Sequence, residues 1–68
     1  MLVKTRIAEL RKERRISQEE LALAVKVTRQ TIISIEREKY TASLQLAYKI
    51  SQFFGLSIEE VFIFEEEE

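Results

Sequence analysis

The stretch Ile16-Ser17-Gln18-Glu19-Glu20-Leu21-Ala22-Leu23-Ala24-Val25-Lys26-Val27-Thr28-Arg29-Gln30-Thr31-Ile32 decides the fold. Ser17 followed three residues later by Glu20 is a capping box: the hydroxyl and the carboxylate each satisfy a backbone N–H at a helix start. Leu21, Ala22 and Val25 then form a short apolar stripe, which predicts a helix ending near Val25. Thr28 is the next N-cap residue. Arg29 to Arg37 reads as a second helix, with Ile32 and Ile35 on its buried side and Ile33 off that stripe. Only Lys26 to Thr28 separate the two. Short helices with so tight a joint must cross at a large angle, which is the helix-turn-helix arrangement.

The flanking sequence supplies what packs around that pair. Val3, Ile7 and Leu10 recur at i, i+4 and i+7 among charged residues, predicting an amphipathic helix over about 3–14. A loop over about 38–42 contains Tyr40. Ser43 caps a further helix, Leu44 to Phe54, apolar on more than one face and therefore central or in contact with a partner. Gly55, the single glycine, stands where a left-handed C-cap is wanted. Ser57-Ile58-Glu59-Glu60 is a second capping box, opening a short helix to about Phe62. The expectation is an all-α fold of five short helices, with a short C-terminal strand as an option. Residues 1–62 form the domain and 63–68 an apolar-then-acidic tail. Ile7, Leu10, Leu21, Ala22, Ile32 and Ile35 belong to its core, together with Leu46, Ile50 and Phe54.

Composition narrows the function. The 68 residues include 11 Lys+Arg and 12 Asp+Glu, with no Cys and no His. Asp and Asn are absent too. A thiol nucleophile, a Ser-His-Asp triad and a zinc ribbon cannot be built, and one glycine cannot make a phosphate loop. No enzyme, cofactor or metal is expected. No apolar run approaches the roughly 20 residues of a membrane span, and no signal-peptide pattern is present, so the expected location is the cytoplasm. A chain of this length buries only about 60% of its unfolded surface, and oligomerisation is a route to stability. Residues 1–49 hold all 11 basic residues against six Glu, a net of +5, whereas residues 50–68 hold six Glu and no basic residue. A basic body with an acidic end fits a polyanion binder, and equally an ordinary surface with a solubilising tail.

The sequence resembles the phage-repressor (Xre/Cro-type) helix-turn-helix regulators in their compact single-domain form. Ile16 to Ala22 resembles the family's opening of helix 2. Val27-Thr28-Arg29-Gln30-Thr31-Ile32 resembles its turn and recognition helix, and Ile35-Glu36-Arg37 the end of that helix. Ser43-Leu44 to Ile50, then Phe54 to Phe62, resemble its last two helices. The resemblance covers about residues 3–62 and implies a lambda-repressor-like DNA-binding domain. Two departures stand out: Lys26 occupies a turn position where the family has Gly, and Glu38 and Ala42 replace Gly and Pro in the following loop. A left-handed Lys26 would cost of order 1 kcal/mol.

Thr28, Arg29, Gln30, Thr31, Ile33 and Ser34 form the exposed side of helix 3 and are candidate base contacts. Gln pairs bidentately with adenine, Arg with guanine, and Ile33 suits a thymine methyl. The resemblance also implies Gln30 as a base contact and Gln18 as a phosphate contact. Lys26, Arg37, Lys39 and Tyr40 are candidates for the DNA backbone, with a plain surface loop as the alternative. The resemblance implies a partly buried structural ion pair between Arg11 and Glu36. Val61, Phe62, Ile63 and Phe64, extended by Phe53 and Tyr48, predict a homodimer through helix 5 and the C-terminal stretch, pairing as strands. The alternative is that Phe62 and Phe64 fold back on their own core. The acidic run Glu65 to Glu68 is expected to be mobile and held away from DNA by repulsion. The resulting expectation is a dimeric repressor of a palindromic operator in double-stranded DNA, with no small-molecule effector. The competing class is a protein-interaction module such as an antitoxin-like protein. A nucleoid-like binder without sequence preference would show strong salt dependence instead.

Overall fold

Hydroxyl N-caps start four of the five helices. The computed structural model describes residues 2–66, ordered β1 (Leu2–Thr5), α1 (Ile7–Glu13), α2 (Gln18–Ala24), α3 (Arg29–Glu36), α4 (Leu44–Phe54), α5 (Ile58–Val61) and β2 (Phe62–Glu65). Ser17, Thr28, Ser43 and Ser57 accept from the backbone N–H of Glu20, Thr31, Leu46 and Glu60 respectively. Both capping boxes are closed, with Glu20 and Glu60 accepting in return from the N–H of Ser17 and Ser57. Those hydrogen bonds with Ser57, aided by the Arg6 charge, hold the Glu60 carboxyl below its ordinary value.

Four helix ends share one device. The residue after the last turn is left-handed: Arg15 at φ 57°, Lys26 at 63°, Glu38 at 60° and Gly55 at 72°. The next N–H then reaches back to the helix, from Ile16 to Arg11 O at 2.9 Å, Val27 to Ala22 O at 2.9 Å, Lys39 to Ser34 O at 2.9 Å and Leu56 to Ser51 O at 3.0 Å. This is the Schellman closure, which satisfies carbonyls that a helix end otherwise leaves open. Only one of the four positions is glycine, so the other three each carry strain of about 1 kcal/mol.

All five helices contribute to one core. Ile7 and Leu10 of α1, Leu21 and Ala22 of α2, Ile32 and Ile35 of α3, and Leu46, Ala47, Ile50 and Phe54 of α4 are buried. Val61 of α5 and Phe62 join them. Ile16 and Val27, each following a left-handed residue, pack against this cluster and pin the turns on either side of α2. Buried Ser51 donates its hydroxyl to the Ala47 carbonyl at 2.8 Å.

The two chain ends differ from expectation. The helix predicted over 3–14 begins only at Ile7, and Leu2–Thr5 is a strand antiparallel to β2, with Val3 opposite Phe64 and Thr5 opposite Phe62. Leu2 and Lys4 face solvent while Val3 and Thr5 are half-buried, the period of two that a strand needs. The Arg6 N–H donates to Val61 O at 2.8 Å, and its side chain to Glu60 O at 3.0 Å, so the strand is tied to α5 as it leaves the sheet. β2 therefore pairs along one edge with β1 of its own chain. Val61 and Phe62, expected at a dimer interface, are closed inside the core, whereas Phe53, Ile63 and Phe64 are exposed. β2 also runs through the boundary drawn at residue 62. Glu65, from the acidic run, meets Lys4 at 3.3 Å, while Glu67 and Glu68 lie outside the described residues. No helix among the described residues is long and apolar enough to cross a membrane.

Candidate nucleic-acid interface

The orientation of α3 is set from its far end. Arg11 presents a fork to Glu36, Nε to Oε2 at 2.7 Å and Nη2 to Oε1 at 3.2 Å. The remaining Arg11 nitrogen donates to Ile16 O at 3.0 Å, and Gln18 Nε2 donates to Glu36 Oε1 at 3.0 Å. The Arg11 and Glu36 side chains are only 11% and 7% exposed. One cluster thus joins α1, the α1–α2 turn, α2 and the last turn of α3. Charge-assisted bidentate bonds fix geometry as well as contributing energy, so the crossing of α2 and α3 is held at both ends, by this cluster and by the Lys26 turn. Gln18, a phosphate candidate, has one amide N–H committed to Glu36. It keeps a second N–H for another acceptor.

The opposite side of α3 carries the polar face. Thr28, Arg29 and Gln30 are exposed, and Thr31, Ile33 and Ser34 are half-buried. Thr28 caps the helix, and its hydroxyl lies 3.0 Å from that of Thr31, so these two side chains orient one another. Thr28, Gln30, Thr31 and Ser34 line one shallow depression together with Tyr40. Arg29, Ile33 and Arg37 follow one another at intervals of four and form a neighbouring row. Lys26, Arg37 and Lys39 are exposed at the ends of α2 and α3. None of Lys26, Arg29, Arg37 or Lys39 is in an ion pair among the described residues.

The fold and this two-helix geometry match a known family. The pattern of the helix-turn-helix family HTH_3 spans residues 7–61. The chain belongs to that family. It is 52% identical over 66 residues to an uncharacterized HTH-type transcriptional regulator of Archaeoglobus fulgidus, spanning 97% of this chain and 93% of that protein. A relative of the same description from Methanocaldococcus jannaschii is 47% identical over 66 residues, spanning 97% and 100%. One from Bacillus subtilis is 46% identical over 65 residues, spanning 96% and 98%. The crystal structure of the clp gene regulator ClgR from Corynebacterium glutamicum shares the fold at a TM-score of 0.74 and 22% identity, over 79% of this chain and 57% of that one.

In this HTH_3 chain the polar face extends further than the sequence reading placed it. Lys26, Thr31 and Tyr40 line a second depression with Ser43, Gln45 and Lys49 of the α4 region. The apolar periodicity of α4 does not single out Gln45 and Lys49. Their spacing of four on the polar side of that helix was the available signal.

Proposed function

We propose that this HTH_3 chain is a sequence-specific DNA-binding transcriptional regulator that occupies a palindromic operator as a homodimer and represses by blocking a promoter. The observation that carries the reading is the set of exposed cations on α3 and at the ends of α2 and α3, Lys26, Arg29, Arg37 and Lys39, none of them in an ion pair among the described residues. Phosphates are the natural partners of such cations, and base edges of the side chains between them. Gln30 reads adenine through its amide, Arg29 reads guanine, and Ile33 meets a thymine methyl. Thr28, Thr31 and Ser34 complete the base-reading row. Gln18, Lys26, Arg37, Lys39 and Tyr40 hold the backbone.

The proposed dimer uses the surface the sheet leaves open, not the buried Val61 and Phe62. A groove of about 240 Å³ lies between Val3 and Phe64 of the sheet, Tyr40 and Ala42 of the α3–α4 loop, and Leu44 and Ile58. Leu44 beside it is 78% exposed. Tyr40 borders both this groove and the depression beside α3. A second copy seated in the groove therefore sets the distance between the two recognition helices. Selection from a randomised duplex pool tests the reading. The expected product is a palindrome with half-sites about 34 Å apart, one helical turn. Enrichment of a single half-site would remove the dimer, and no enrichment would favour a protein-interaction role.

A further inference from the structure

A second cleft lies on the other side of α4, between its outer face and the end of α2. Tyr48 and Phe53 are 56% and 38% exposed there. Both rings are already held in place. Gln52 Nε2 donates to Tyr48 Oη at 2.7 Å, and Phe53 packs edge-on to Phe54 at a centroid distance of 5.2 Å. Aromatic groups fixed before contact lose little freedom when covered, the property of binding anchors. Ala24 and Val25 form the facing wall, Lys26 and Lys49 flank it, and the volume is about 460 Å³. No acidic residue lines the cleft, and neither lysine is in an ion pair among the described residues. It shares no lining residue with the groove beside the sheet.

We infer that this cleft receives an acidic amphipathic segment of a partner protein. Apolar side chains of the segment cover Tyr48, Phe53 and Ala24, over the already buried Val25, and its carboxylates meet Lys26 and Lys49. DNA alone satisfies only half of this chemistry, since phosphates pair with the lysines and leave the rings in water. Lys26 and Lys49 also line the polar depression beside α3. The segment and DNA therefore draw on the same two ammonium groups, and the partner acts as an antagonist of DNA binding. This last step rests on the proposed DNA-binding function. By linkage the antagonism is reciprocal, with DNA weakening the partner's binding by the same factor.

The test titrates the full chain, without DNA, with a synthetic amphipathic peptide of Leu, Phe and Glu, followed by NMR. The expected result is saturable shifts at Ala24, Lys49, Tyr48 and Phe53. Lys49→Glu weakens the peptide about tenfold, and Phe53→Ser does so by about tenfold as well. Tyr48→Ser gives an independent readout should Phe53→Ser perturb folding, which a thermal melt monitors. A peptide with Lys in place of Glu does not bind. Absence of saturable shifts, shifts confined to the groove beside the sheet, or equal binding of the lysine peptide would overturn the assignment. Shifts at the same residues on concentrating the chain alone would hand the cleft to a second copy and likewise overturn it. In a second step the peptide is expected to weaken DNA binding of the wild type and not of the double variant Lys26→Ala/Lys49→Ala. Peptide binding that leaves DNA affinity unchanged would overturn the antagonism. A chain that binds no DNA would strike the DNA reading and leave the peptide result standing.

Discussion

The helix-turn-helix and the terminal sheet are built from determinants at different distances along the chain. In residues 17–37 nearly every fixing contact is close in sequence: Ser17 with Glu20, Thr28 with Thr31, Val27 with Ala22. Two long-range ties, from Arg11 and from Gln18, meet at Glu36 and complete it. In the sheet the strand pairing is entirely long-range, with Leu2 paired to Glu65 and Thr5 to Phe62. Local contacts form with little loop-closure entropy, and distant pairings must first close the chain. The difference teaches that the reading head is specified almost on its own, while the surface beside it depends on the two ends meeting.

The sharpest way to break this contrast is at Glu36, where its long-range ties meet. Glu36→Ala leaves a nearly buried Arg11 without its carboxylate and is expected to cost about 3–5 kcal/mol in urea unfolding. A loss below about 1 kcal/mol would mean that the pair behaves like a surface pair and does not hold α3. Next in size is the sheet's own anchor. Phe62→Ala empties a core position and is expected to cost about 3 kcal/mol, with amide exchange in β1 rising before exchange in α3. Loss of protection in both at once would make sheet and reading head a single cooperative unit.

Smaller effects come from the helix ends. Lys26→Gly removes the left-handed strain and is expected to stabilise the fold by about 1 kcal/mol, while weakening DNA. Gly55→Ala does the opposite by a similar amount, since an added Cβ meets nothing within 4 Å and only the φ of 72° opposes it. The Glu60 cap gives a pH signature. Its carboxyl sits below the ordinary value of about 4.5 through its bonds to Ser57, so the stability it contributes is present above that value and is lost as pH falls through the folded-state value. Glu60→Gln is expected to flatten that acid limb, and an unchanged limb would contradict the cap's role. Smallest is Glu65→Gln, which breaks the half-exposed pair with Lys4 at a cost below about 1 kcal/mol.

The same contrast explains what could be read in the sequence. Ser17, Thr28, Ser43 and Ser57 announce helix starts because a cap and its partner are three residues apart. The nine core residues named from periodicity are all buried. β1 escaped because Val3, Ile7 and Leu10 fit a helical interval, whereas the strand alternation runs for only four residues and its partner is at the other chain end. With β1 missed, Val61 and Phe62 looked like an uncovered apolar surface. The Glu36 bond of Gln18 and the place of Lys49 beside Lys26 are likewise products of packing between distant elements, which a linear pattern does not display.

The central claim is that α3 reads bases while the cations around it hold the backbone. Binding of the wild type, Gln30→Ala and Lys39→Ala to a selected and a scrambled duplex, measured across a salt series, tests it most directly. Gln30→Ala is expected to lose about 1–3 kcal/mol of preference for the selected duplex and to keep the salt dependence. Lys39→Ala is expected to keep the preference and to lower the salt slope by about 1. Undiminished preference in Gln30→Ala would contradict the claim and move recognition away from α3.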